Sequence, residues 1–217
     1  MQRFVPGPVL AVALALVLVS VALPGLAGED AAADRATVCV DPDWPPYEVI
    51  DGQGRHQGIA ADLLRLAAAR VGLALDLVPT RDWEDSIAAS KDGRCQMLSF
   101  LNQTPKRDEW LVFTDPIFVD ANVIVTREEH RFVADLAAVS GETMVLPRGT
   151  SIEERVRRDF PDLAIVTTDS EADAFAMVAN RKADMTLRAL TVAVDTIKKE
   201  GWFNLKVAGQ EIGRAHV

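Results

Sequence analysis

Arg107 closes the tetrad Thr104-Pro105-Lys106-Arg107, shortly after an apolar run that ends in Phe100-Leu101-Asn102. An arginine in a loop just past a strand presents a rigid, planar fork of donors that stays charged and matches a carboxylate. A second anion-seeking feature is Gly149-Thr150-Ser151, which opens the helix-like stretch SIEERVRRDF. Amide N–H groups left free at a helix start, hydroxyls beside them and a glycine that permits close approach together cradle negative charge. Each feature also has a plainer reading. A surface Arg107 would pair with Asp108 or Glu109, and the Gly-Thr-Ser turn is also an ordinary N-cap, a role that coexists with ligand contact. Cys39 and Cys95 lie in the strand-like segments TVCVDP and GRCQMLSF. In an oxidising compartment they form a disulfide if the strands are neighbours, and otherwise are two buried thiols. His56, His130 and His216 are scattered and there is no Cys-x-x-Cys, so neither a metal nor a cofactor is expected. Glu48, Asp43 and Glu84 are the acids that catalysis would need, but no Ser/His/Asp set, paired-carboxylate motif or phosphate-cradling glycine loop accompanies them.

These residues sit in a chain of 217 residues, 49% of them hydrophobic, enough for one or two α/β lobes with real cores. The net charge is -9, and Arg3 is the single charge among the first 28 residues, so the remainder is more acidic still. Such a surface repels nucleic acid and anionic membranes. Residues 1–27 read as an export signal: Arg3, an apolar run from Pro8 to Leu26, then a small-residue exit at Gly25 and Ala27. The run is about 19 residues, also long enough for a membrane anchor, and either reading places the rest outside the cytoplasm. After a linker over 28–35, short apolar strands alternate with amphipathic helices, the pattern of sheets faced by helices. Strands are predicted at 36–40, 74–78, 95–99, 121–126, 143–146, 163–166, 184–187 and 204–207, and helices at 59–71, 83–91, 151–159, 170–180 and 190–200. In the first helix Ile59, Leu63, Leu66, Ala67 and Val71 recur at helical spacing, which predicts one buried stripe. The charged interruption TREEHRF marks a crossing, with lobe 1 at 36–126, lobe 2 at 127–205 and a return to lobe 1 over 206–217. The last seven residues, Glu211–Val217, read as the translation of a common sequencing adapter, so the native reading is expected to stop near Gln210 and the natural protein to continue.

Read together, DPDWPPYEV, GIAADLLRLAAARVG, FLNQTPKRDEWLVFTDPIF, LPRGTSIEE and KADMTLRALTVAVDTIKKEGWFNLKVAGQ resemble the extracellular solute-binding proteins of family 3, above all the versions fused to bacterial sensor proteins. The likeness spans about residues 36–210 and implies a two-lobed, type II periplasmic-binding-protein (Venus-flytrap) α/β fold whose C-terminal part is truncated. It implies that Arg107 clamps a ligand carboxylate and that the Gly149-Thr150-Ser151 turn touches the same group from the other lobe. It also implies that Trp44 or Tyr47, in a loop stiffened by two prolines, walls the cleft, that Asn102 holds the ligand and that Phe100 adds an apolar wall. Trp83 lines the cleft edge or belongs to the core. One departure matters: where the family's amino-acid binders carry an aspartate for the ammonium, Ala189 stands here, preceded by Arg188. A cation there favours a second anionic group, unless an acid such as Asp169 reaches the cleft. The implied mechanism is hinge closure over a small carboxylate or amino acid, read by a membrane permease or by a fused cytoplasmic signalling domain. The rival is a periplasmic dehydratase or lyase on the same architecture.

Overall fold

Continuous apolar runs, whose successive side chains point to opposite covered faces, build the largest of three sheets. The computed structural model describes residues 34–216, those from 211 onward by backbone alone. The expected export segment 1–27 and all but the end of the expected linker 28–35 lie outside the described residues. In the first lobe β1 (Arg35–Cys39), β2 (Asp43–Trp44), β3 (Glu48–Ile50) and β4 (His56–Gln57) precede α1 (Ile59–Val71), followed by β5 (Ala74–Leu77), α2 (Trp83–Lys91) and β6 (Met97–Leu98). The second lobe comprises β7 (Val119–Arg127), β8 (Thr143–Pro147), α3 (Ser151–Asp159), β9 (Ala164–Thr168), α4 (Glu171–Ala179), β10 (Met185–Ala189), α5 (Leu190–Glu200) and β11 (Leu205–His216).

A parallel sheet of order β5-β1-β6, with a small antiparallel sheet β2-β3-β4, makes the first lobe, and a sheet of order β11-β7-β10-β8-β9 makes the second. In the larger sheet Ile124, Met144, Leu146, Met185 and Leu187 pack on one face with Ile152 and Val156 of α3. Their neighbours Val123, Val125 and Val145 pack on the other with Phe175 and Val178 of α4 and Ala193 of α5. Each such large side chain contributes roughly 1.5–3 kcal/mol by leaving water. The helices begin where hydroxyl or carboxyl side chains accept from their first turns: Asp82 for α2, Thr150 for α3 and Ser170 for α4.

The sheets divide the chain elsewhere than at Thr126. β7 runs through that expected boundary and pairs with β10 on one side and β11 on the other, so it is a central strand of the second lobe. An apolar strand with covered faces reads the same in either lobe, and only its partners decide. β11 does not join the smaller sheet; it runs antiparallel to β7, from Leu205 beside Arg127 to His216 beside Val119. The expected buried stripe of α1 is also corrected. The helix docks through Ala60, Ala61 and Ala68, while Ile59, Leu66 and Val71 are exposed. Alanines let the helix approach the Trp44–Tyr47 loop, where the Ile59 and Ala60 amides donate to the Pro46 and Tyr47 carbonyls. Gly58 makes that approach feasible: its φ is +115° and a Cβ there would stand 2.3 Å from the Tyr47 carbonyl oxygen.

Cys39 and Cys95 are joined by a disulfide, with Cα atoms 5.7 Å apart across a separation of 56 residues. It ties β1 to the segment entering β6, beneath the loops of the first lobe. A closed loop of this size restricts the unfolded chain by about 4 kcal/mol. The Cys39→Ser, Cys95→Ser double variant is therefore expected to unfold at a clearly lower urea concentration, and an unchanged midpoint would show that packing alone holds the first lobe.

Candidate functional site

The two lobes meet at a common chamber, beyond the end of β1 and beside the start of β7. Beyond β1 lie Asp41 and Trp44; past β6 lie Phe100, Asn102 and Arg107; and from the second lobe come Asn122 of β7, Ser151 and Ile152 of α3, and Arg188 and Ala189 of β10. Placement beyond the carboxyl ends of β1, β6 and β10 puts the loops, free of ladder bonds, against the space.

One wall is aromatic. Trp44 and Tyr47 meet edge to face at 4.8 Å between centroids, Tyr47 stands 5.1 Å from Phe100, and Phe100 stands 5.6 Å from Phe118. Both Trp44 and Tyr47 line the chamber. Phe100 holds a φ of +49°, a left-handed turn unfavourable for a side chain that size by about 1 kcal/mol or more. That turn brings Phe100 into the aromatic cluster and directs the chain to Asn102. The Tyr47 hydroxyl donates to Asp120 at 2.5 Å, and the Thr191 amide of α5 donates to the same carboxylate at 3.0 Å, which joins the first lobe to the second. Burial, with the Asp120 carboxylate beside it, raises the Tyr47 pKa, so the hydroxyl remains a donor.

Arg107 is 3% exposed. Its Nη1 donates to the Asn102 carbonyl at 2.7 Å and its Nη2 crosses to the Gly149 carbonyl at 3.2 Å. Trp83 Nε1 donates to that same carbonyl at 3.1 Å, and the guanidinium lies 5.5 Å from the Trp83 ring centroid. Burial lowers the Arg107 pKa, the charge of Glu154 opposes that shift, and among the described residues no carboxylate forms a salt bridge with Arg107. Gly149 thus differs from its expected role. It presents a carbonyl to the first lobe, while its amide donates to Glu153 at 2.8 Å. Thr150 Oγ1 caps Glu153 N at 3.2 Å, so the Thr150–Ser151 turn is a cap that also borders the chamber.

Arg188 borders the chamber but its Nη2 pairs with Glu171 Oε1, both side chains being nearly buried. Burial raises the Glu171 pKa and Arg188 opposes that shift. The cation expected to seek a second anion therefore already has one at its back. Asp169, the acid expected to reach the cleft, is exposed beside Arg148. The acid at the chamber is Asp41, whose pKa burial pushes up to about 7. Sequence reasoning missed Asp41, although a lone carboxylate directly after the buried run Val38-Cys39-Val40 is a readable signal. It also missed Asn122, fully buried with neither Nδ2 nor Oδ1 partnered, for which an apolar strand carries no signal. Trp44 Nε1 and Arg188 Nε are likewise buried without acceptors. Glu48 is buried under the loop, bonded to His56 at 2.9 Å, and none of Glu48, Asp43 and Glu84 lines the chamber. Among the described residues no group of His, Cys, Asp and Glu could hold a metal ion, and no helix is long and apolar enough to cross a membrane.

Residues 36–205 match the sequence profile of the bacterial extracellular solute-binding proteins, family 3. The virulence sensor protein BvgS of Bordetella pertussis is 29% identical over 145 residues, which is 67% of this chain but 12% of that protein, so the chain spans a small part of the sensor's length. ABC transporter arginine-binding protein 1 of Escherichia coli is 24% identical over 156 residues, covering 70% of this chain and 62% of that protein. The crystal structure of a histidine kinase sensor domain with similarity to periplasmic binding proteins superposes with a TM-score of 0.76 at 26% identity, covering 84% of this chain and 79% of that one.

The Glu171–Arg188 pair makes a testable contribution to stability. Glu171→Ala strands a buried guanidinium and is expected to cost about 3–5 kcal/mol, whereas Glu171→Leu with Arg188→Met is expected to cost far less. Urea denaturation of the single and double variants measures the difference, and equal losses would mean that the two charges are not coupled.

Proposed function

Because the chain belongs to family 3 of the bacterial extracellular solute-binding proteins, we propose that its two-lobed Venus-flytrap fold closes on a small anionic solute outside the cytoplasm, a carboxylate or an amino acid held by its carboxylate. The observation that carries this reading is the set of buried, unpartnered donors around the chamber. Among the described residues Arg107 forms no salt bridge with a carboxylate, Trp44 Nε1, Asn122 Nδ2 and Arg188 Nε lack acceptors, and the start of α3 brings its own amides. Buried donors without partners are costly, and an anion satisfies several at once. Thr150 and Ser151 contribute from the second lobe, and Phe100, Tyr47 and Trp44 form the apolar side.

Closure is favoured when both lobes share contacts with one guest. Arg107 reaches across to the second lobe at Gly149 and Tyr47 to Asp120, so the same side chains that face the solute also hold the lobes together. The closed state is then read by a membrane permease or by a transmembrane sensor, and the sensor relatives favour the second. An enzyme on this fold would need an acid or base at the chamber; Asp41 is the acid there and nothing pairs it with a nucleophile.

Arg107→Ala is expected to weaken solute binding at least about 100-fold, the worth of a charge-assisted fork, while the protein stays folded. Calorimetric titration with short carboxylates and amino acids checks it, and full affinity in the variant would refute the site. Asp41 sets the pH dependence. Below pH 7 its carboxyl is neutral, and as pH rises through about 7 it ionises beside the guest. Affinity for an anion should therefore fall by roughly tenfold, about 1.4 kcal/mol, from pH 6 to 8, and Asp41→Asn should flatten the profile. Affinity that rises with pH would mark a cationic guest instead.

A further inference from the structure

The chamber does not end at Asn122. It holds only about 40 Å³ of free space, room for about three waters. A second cavity of about 490 Å³ adjoins it, sharing Asn102, Asn122, Ser151 and Ile152 as common walls. This vestibule lies between the Gln103–Asp108 segment of the first lobe and the outward face of α3, with Glu154 and Arg158 at its rim. Asn122 stands where the two spaces meet. Its side chain is wholly buried, and both halves of its amide, the Nδ2 donor and the Oδ1 acceptor, lack a partner in the protein.

An orphaned amide in a dry wall is destabilising unless the bound state uses it. A carboxylate alone satisfies Nδ2 and leaves Oδ1 unmet; a group offering an acceptor and a donor side by side satisfies both. The room on either side points the same way, since the inner chamber fits a carboxylate and little else while the larger space fits the rest of a longer molecule. Resting on the binding reading above, we infer that the solute is an extended, N-acylated carboxylate of about dipeptide size, its carboxylate in the inner chamber and accepting from Asn122 Nδ2, its adjacent amide N–H donating to Asn122 Oδ1, and its distal part in the vestibule.

The probes are acetate, glutarate, N-acetylglycine and glycylglycine, titrated calorimetrically into the wild type, Asn122→Leu and Asn122→Asp. The wild type is expected to bind the two amide-bearing probes at least tenfold more tightly than glutarate. Asn122→Leu is expected to erase that preference, and to raise the melting temperature because it removes two unsatisfied buried atoms. Asn122→Asp, which keeps the shape and loses the donor, should also lose the preference. Arg107-dependent binding of all four probes without preference for the amide overturns this inference and leaves the anion site standing. Failure of the wild type to bind any of them overturns both.

Discussion

A guanidinium taken out of water must be surrounded by oxygen atoms, and most of the cleft follows from how that requirement is met at Arg107. One nitrogen is satisfied within its own lobe by the Asn102 carbonyl, the other only by reaching Gly149 in the opposite lobe. Carbonyls are weaker partners than a carboxylate for such a group. The cation is therefore desolvated and incompletely compensated by its protein partners. The Trp83 ring, 5.5 Å from the guanidinium, excludes water from one side and adds a cation–π attraction.

Around this centre the remaining charges are kept from competing. Arg188 would form a second positive focus, but Glu171 at its back cancels much of its field. Asp41 would oppose an anion, but burial holds its carboxyl largely protonated up to near neutrality. Glu48 is turned away toward His56. The lobes are bridged through Tyr47, Asp120 and Thr191. Membership of the solute-binding family accords with a chamber lined from both lobes.

Local patterning carried far into the fold. Helices over 59–71, 83–91, 151–159 and 190–200 coincide with α1, α2, α3 and α5, because their caps and 3.6-residue periods are written within each segment. The strand alternation of Val123, Ile124 and Val125 was equally plain, and it shows in the structure as two opposite core faces. What did not carry was which side of a helix meets its neighbour. In α1 the large residues promised a stripe, whereas the alanines made the contact, since approach distance to the Tyr47 loop and not hydrophobicity alone selected the face.

By itself the sequence determined the class of architecture and the alternation of strands and helices, and it singled out Arg107, the Thr150–Ser151 turn and the aromatics after β1, which meet at one chamber. These are local properties, set by side-chain chemistry and by spacing along a few turns or strands. The tertiary structure decided that β7 belongs to the second lobe, that Gly149 offers a carbonyl in place of an amide, that Arg188 is engaged by Glu171, and that Asp41 and Asn122 face the chamber. Each of those outcomes depends on groups from distant segments meeting in the fold, where burial and partner geometry override what a residue would do alone.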